Sequence, residues 1–164
     1  MSAGQISRNE LGALLIRLLL GSLFIAHLYW KVAILPGGLS AWRDGLVSTG
    51  YPPFVLFYVL TAEVLGALLL IPGILTRYVA LYALPMMLGA THFWFARNGF
   101  YFTKAGAELP LVWAALLCIQ AVLGDGLFAL VRSPSLDAMF ARIGIGRASG
   151  IGLFRVPGRV KRKD

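Results

Sequence analysis

Four long apolar stretches constrain this sequence more than any other feature. A bilayer core about 30 Å thick requires roughly 20 consecutive apolar residues in a helix, with a range near 17–25. The stretches do not alternate apolar with polar residues, and backbone in lipid must be hydrogen-bonded within a helix or a closed barrel. The sequence therefore predicts four membrane-spanning helices, over Leu11–Trp30, Phe54–Ile71, Tyr78–Phe95 and about Ala107–Leu123.

The composition agrees with a membrane protein. Of the 164 residues, 59% are hydrophobic and 13% are charged, whereas globular chains average roughly 45–50% and 25%. The first stretch contains Arg17 and is followed by Lys31 rather than by a small-residue cleavage site, so we interpret it as a retained span. Cys118 is the only cysteine, which excludes a disulfide framework and CxxC redox chemistry.

The sequence predicts an all-α fold in two regions. Residues 1–131 are expected to form an integral membrane four-helix bundle, and residues 132–164 a short amphipathic helix followed by a basic tail. Ser133 can cap that helix with Pro134 at its first position. The face of the helix would then carry Leu136, Met139, Phe140 and Ile143.

The first loop, residues 31–53, predicts a further short helix. Leu39, Trp42 and Leu46 recur in it at roughly helical spacing, which is typical of a helix lying on the membrane surface.

The distribution of Lys and Arg predicts the orientation. An even number of spans puts both termini on one side, and the tail, which ends in "GRVKRKD", carries most of the basic residues. By the positive-inside rule we expect a multi-pass protein of the cell inner (plasma) membrane with both termini in the cytoplasm. A basic tail is a membrane-surface feature. The net charge of +8 does not predict nucleic-acid binding, because there is no folded basic domain.

Two charged residues lie deep inside the predicted spans. Glu63 is near the middle of the second span, where an ionised carboxylate costs several kcal/mol unless it is paired or protonated. Ala62 and Gly66 form a small-xxx-small pair that lets another helix approach, so Glu63 should face the bundle. Arg17 lies only roughly 6 Å away in depth. We expect an Arg17–Glu63 ion pair that fixes helix register, with a proton- or redox-linked site as the alternative.

A second polar group is predicted near the outer face. By helical rise, His27 and His92 lie at similar depth, with Lys31 one turn beyond His27 and Glu108 at the start of span four. We predict that these four residues converge on a quinone or ligand site, because imidazole and ammonium donors can hydrogen-bond quinone carbonyls.

Three other interpretations of this group stay open. It could belong to an interfacial belt of aromatic residues and snorkelling cations. A haem with His27 and His92 as axial ligands is a weak alternative, and a metal held by the histidines and Glu108 is weaker, so no metal is predicted.

These residues occur in segments that resemble the DoxX family of small four-helix membrane proteins. The similarity covers about Leu11 to Leu130. The family includes a subunit of thiosulfate:quinone oxidoreductase, so the resemblance implies a quinone-linked or accessory redox role. The segments are "RLLLGSLFIAHLYWK", "GYPP", "AEVLGALLLIPGILTR", "ELPLVWAALL" and "GDGLFAL". The family pattern falls on Arg17, Lys31, Glu63, Arg77 and Glu108.

The predicted function is that of a small membrane subunit or accessory protein of a redox system, with quinone as its cofactor. Its expected partners are the lipid bilayer and another membrane or redox protein, and a homo-oligomer is allowed. The alternative is a non-enzymatic assembly factor or scaffold for another membrane protein. A proton or ion transporter ranks third, because four helices are few for a pathway.

Overall fold

The computed structural model describes residues 7–142, and within this range the regular structure is helical, with no strand. The predicted all-α class is therefore confirmed for this part of the chain. The helices are α1 (Arg8–Tyr29), α2 (Gly38–Ser48), α3 (Pro53–Leu69), α4 (Thr76–Asn98), α5 (Glu108–Leu123) and α6 (Leu136–Arg142).

The four predicted apolar stretches correspond to α1, α3, α4 and α5. Within residues 7–142, two helices are long and apolar enough to cross a membrane: α1 with its extension to Ile34, and α4. The apolar helices α3 and α5 have 17 and 16 residues. Their shortness has a local cause, because Pro53 fixes the start of α3 and Gly124, with φ at 85°, ends α5.

The four apolar helices, α1, α3, α4 and α5, pack in a closed ring. α1 and α4 each contact both α3 and α5. Small residues such as Ala62, Ala80 and Ala83 are fully buried where the helices meet, which permits close backbone approach. The outward surface is apolar, with Leu15 59% and Leu68 64% exposed. A soluble monomer rarely exposes so much apolar surface, whereas a membrane protein exposes it to lipid.

α1 does not end as an α-helix. Residues Trp30–Ile34 form a π-helical turn, in which the Leu35 N–H donates to the Trp30 carbonyl at 2.8 Å. Such turns contain one extra residue and often occur at functional sites. Here the turn carries Lys31, which is buried. The chain then reverses at Gly37 and enters α2, which confirms the predicted helix in this loop.

At the opposite end of the ring, residues 124–133 cross the helix ends without forming a helix. We call this segment the strap. The Leu127 N–H donates to the Glu10 carbonyl at 3.3 Å and the Val131 N–H to the Gly73 carbonyl at 3.2 Å, while the Val131 carbonyl accepts from the Leu75 N–H at 2.9 Å. The strap is thus tied to both α1 and the α3–α4 turn.

The chain divides into two compact units, one ending at Ser133 and the other beginning at Pro134. The second unit contains α6. The predicted cap of this helix is wrong: Ser135 Oγ accepts from the Ala138 N–H at 3.2 Å in the manner of an N-cap, whereas Ser133 is bound to the Asp125 carboxylate within the strap. The predicted place of Ile143 on this helix and the basic tail lie outside the described residues.

Candidate functional site

Glu63 forms a buried ion pair with Lys31. The Lys31 Nζ donates to both carboxylate oxygens, at 2.5 and 2.6 Å. The two side chains are only 4% and 2% exposed. Because an isolated charge at such a site costs several kcal/mol, the pair explains how an acid can stand in the apolar helix α3.

The predicted Arg17–Glu63 pair is wrong, and the register of α1 against α3 is the reason. Gly66 lies against the Phe24 ring, and Gly73, beyond α3, lies against the Arg17 guanidinium. Arg17 is therefore level with Gly73, about three turns from Glu63 along the axis of α3. Lys31 instead approaches Glu63 from the π-helical turn, which the sequence estimate did not include.

Two aromatic residues and His27 surround this pair. The Trp42 ring of α2 lies over the Lys31 ammonium, with 4.1 Å from Nζ to the ring centroid. His27 Nδ1 lies 3.5 Å from Glu63 Oε1, and its ring packs against Trp113 at 5.0 Å between centroids. The His27 side chain is 50% exposed, so it connects the buried carboxylate with the surroundings.

This arrangement can offer a hydrogen bond to a polar group. An ammonium has three N–H donors, and Glu63 takes two of those of Lys31. His27 Nδ1 lies close enough to the same carboxylate that a protonated imidazole would form a second ion pair with Glu63. We call Lys31, Glu63, His27, Trp42 and Trp113 the Lys31–Glu63 site.

The structure does not bring His92 and Glu108 to this site. His92 lies on the exposed face of α4 with Leu88 and Phe95, which are 51% and 59% exposed. Glu108 Oε2 instead accepts from the Phe102 N–H at 3.0 Å and fastens the loop before α5. The predicted convergence of His27, Lys31, His92 and Glu108 is therefore corrected to His27 and Lys31 with Glu63. A haem bound by both histidines does not fit their placement.

Within residues 7–142, no group of three or more His, Cys, Asp or Glu side chains is arranged to hold a metal ion.

Arg17 belongs to a separate polar network at the strap. Its guanidinium donates to the carbonyls of Asp125 at 2.7 Å and Leu127 at 2.6 Å. Arg77 similarly donates to the Ala121 carbonyl at the end of α5, at 2.7 Å. The last carbonyls of a helix have no partners within it, so Arg77 satisfies one that would otherwise be unpaired. Arg17 does the same for two carbonyls of the non-helical strap in an apolar setting.

Asp125 organises the same network from the strap. Its carboxylate accepts from the backbone N–H groups of Thr76, at 2.9 Å, and Ser133, at 2.7 Å, and from both hydroxyls. Burial raises the pKa of the Asp125 carboxyl, but the hydrogen bonds from Ser133 and Thr76 outweigh it and hold the pKa below its ordinary value. These contacts join the start of α4 to the end of the strap.

Sequence reasoning missed Asp125, Trp42 and Trp113. Asp125 lies in the segment "GDGLFAL" and received no predicted role, although an acid between two glycines at a helix end is a common way to bind backbone N–H groups. Trp42 was assigned to the membrane surface, where its amphipathic spacing placed it. No local pattern marked Trp113, whose role depends on how α5 faces α1.

Comparison with known proteins gives one match. A profile of the DoxX family matches residues 12–98, more than half of the chain. The matched range includes Arg17, His27, Lys31, Trp42 and Glu63. Neither a curated protein nor a solved structure matches the chain.

Proposed function

Since this chain belongs to the DoxX family, a family of small membrane proteins often associated with redox systems, we propose that it is a four-span membrane subunit or accessory protein of such a system. We place it in the cell inner membrane, with another membrane or redox protein as its partner. The Lys31–Glu63 site is where it binds quinone.

The buried Lys31–Glu63 pair beside half-exposed His27 carries this proposal. A quinone supplies redox chemistry in which it takes up electrons and protons. Lys31 and His27 are donors suited to its carbonyl oxygens, and the Trp42 and Trp113 rings that pack on these donors add aromatic surface beside them. His27 Nδ1 lies beside the same carboxylate, at 3.5 Å from Oε1, and Glu63 keeps the Lys31 charge compensated.

Measurement of quinone binding tests this proposal. The purified protein in nanodiscs is titrated with a short-chain quinone analogue, alongside the variants His27→Leu and Lys31→Met. We expect the wild type to bind and both variants to lose at least about tenfold in affinity, which corresponds to about 1.4 kcal/mol. His92→Leu is the matched control, because it removes the same side chain from the exposed face of α4. Equal loss in the His27 and His92 variants would contradict the site.

A non-enzymatic scaffold or assembly factor is the second candidate. The observation that favours it is the strap network. In this network Arg17, Arg77 and Asp125 form hydrogen bonds with backbone groups and have no evident role in redox chemistry. Lipid extraction and an absorbance spectrum of the purified protein separate the two candidates. Bound quinone supports the redox role, and a protein that neither contains nor binds quinone supports the scaffold.

The topology is proposed from charge and helix order. α3 and α5 are short for a span, but local thinning of the bilayer and flanking residues can accommodate them. In a Cys118→Ala background, Ser40→Cys and Ser149→Cys should react with a membrane-impermeant maleimide from opposite sides of intact cells, with Ser149 inside. Labelling of Ser149 from outside would reverse the orientation.

A further inference from the structure

The strap exposes its largest apolar side chains. Phe128 is 80% exposed and Leu130 73%. Phe128 also has φ at 54°, in the left-handed region that a bulky residue rarely adopts. Such an outlier persists only where the surrounding structure imposes it. An exposed aromatic residue held in this way indicates a surface that meets something apolar.

The position of the strap along α1 indicates what that is. The strap is bonded to Glu10 through the Leu127 N–H and to Arg17 through the Leu127 carbonyl. It therefore runs beside the first turns of α1. The exposed face of those turns carries Leu11 and Leu15, which are 44% and 59% exposed. Because α1 is one of the helices long and apolar enough to span, its apolar exposed face meets lipid.

The hydrogen bonding of the strap suits the same environment. Non-helical backbone is tolerated at membrane depth only where protein groups satisfy it. Arg17 binds two of the strap's carbonyls, Gln120 Nε2 donates to the Gly124 carbonyl at 2.6 Å, and the Asp125 carboxylate binds the Ser133 N–H. The charged side chains of the strap network thus face inward, while the apolar side chains face outward.

We propose that the strap is an interfacial anchor that lies in the leaflet nearest the start of α1, with Phe128 and Leu130 among the acyl chains. Exposed Arg8 lies three residues before Leu11, and exposed Arg132 lies two residues after Leu130; both suit the phosphates of anionic headgroups. The proposal does not depend on quinone binding. A protein partner seated on the same surface is the alternative outcome of the test.

Spin-label accessibility in nanodiscs tests the anchor. All variants are made in a Cys118→Ala background. One carries a single cysteine in place of Phe128, which alters the left-handed residue itself. A second carries the cysteine in place of Leu130 and leaves Phe128 unchanged. Each label is exposed to oxygen, which concentrates in lipid, and to a water-soluble nickel complex. Leu15→Cys and Asn9→Cys are matched controls, since both positions are exposed on α1 near the strap.

We expect labels at 128 and 130 to give oxygen-to-nickel accessibility ratios close to that of Leu15→Cys and several-fold above that of Asn9→Cys. Ratios like that of Asn9→Cys at both strap positions would overturn the proposal and leave the surface to a protein partner. A circular dichroism spectrum of each labelled protein, compared with the background, shows that the fold is kept.

Discussion

The Lys31 ammonium donates to both carboxylate oxygens of Glu63, and the two side chains form an ion pair that is almost completely buried. The residues are on different helices, and the cation belongs to a π-helical turn rather than to the regular helix that precedes it. The pair therefore joins the end of α1 to the middle of α3.

Breaking this pair on one side should be costly. Glu63→Gln or Lys31→Met alone leaves one buried charge uncompensated, so we expect each to lower stability by about 3–5 kcal/mol. The double variant should be milder than the sum of the two. Thermal unfolding in detergent measures all three. Arg43→Met is the control, because the exposed Arg43–Asp44 pair should contribute no more than about 1 kcal/mol. A coupling energy near zero between Lys31 and Glu63 would contradict the pair.

Arg17 and Glu63 should behave independently. They lie in separate networks, so the effects of Arg17→Leu and Glu63→Gln should add within about 0.3–0.5 kcal/mol. The same unfolding measurement, made on the single and double variants, checks this. A coupling of several times that size would restore the direct pair that the sequence suggested.

Asp125 should make stability depend on pH in the acidic range. Its folded pKa lies below its unfolded value of about 3.9, so its contribution is complete above about pH 4. The contribution is lost as pH falls through the folded pKa. Unfolding temperatures measured in steps from neutral to strongly acidic pH should show this decline. Asp125→Asn should be less stable at neutral pH, because its amide would face the Ser133 N–H, and should show a flatter decline. A wild-type profile that matches the variant's would count against the Asp125 network.

The contact between α1 and α3 can be tested at one glycine. A Cβ at Gly66 would lie 2.7 Å from Phe24 Cε2, so Gly66→Ala should cost about 1–3 kcal/mol through overpacking. Gly89→Ala is the control, because Gly89 is also helical but has nothing within 4 Å of the added carbon. That variant should be neutral or stabilising by about 0.4–1 kcal/mol. Equal effects at the two positions would show that the helices do not meet at Gly66.

The sequence was sufficient to predict the four apolar helices and the direction of the Glu63 side chain toward the interior of the bundle. Apolar length located all four long helices, and the small-xxx-small pair correctly indicated the buried face, since Ala62 and Gly66 are both buried. Such features are local, because they depend on the residues of one helix and on the environment it occupies.

The partner of Glu63 could not be obtained in the same way. Helical rise gives depth along a helix, but the register between α1 and α3 depends on how Phe24 fits Gly66. The rise per residue also does not tell which face of its helix a residue occupies. His27 and His92 were predicted to share a depth, yet His92 is on the outward face of α4. The site required both the register and the rotation to be known.

The π-helical turn at Trp30–Ile34 has a consequence for the alignment of related chains. Each α-helical residue advances the side chain by about 100°, so one extra residue wound into a turn changes which face every later side chain presents. A relative that continues α1 as a regular helix would need one residue fewer between its counterparts of His27 and Trp42 to keep the histidine at the carboxylate and the tryptophan over the ammonium. An alignment without a gap would then pair one of them with the wrong position, and the gap itself would identify relatives that lack the turn.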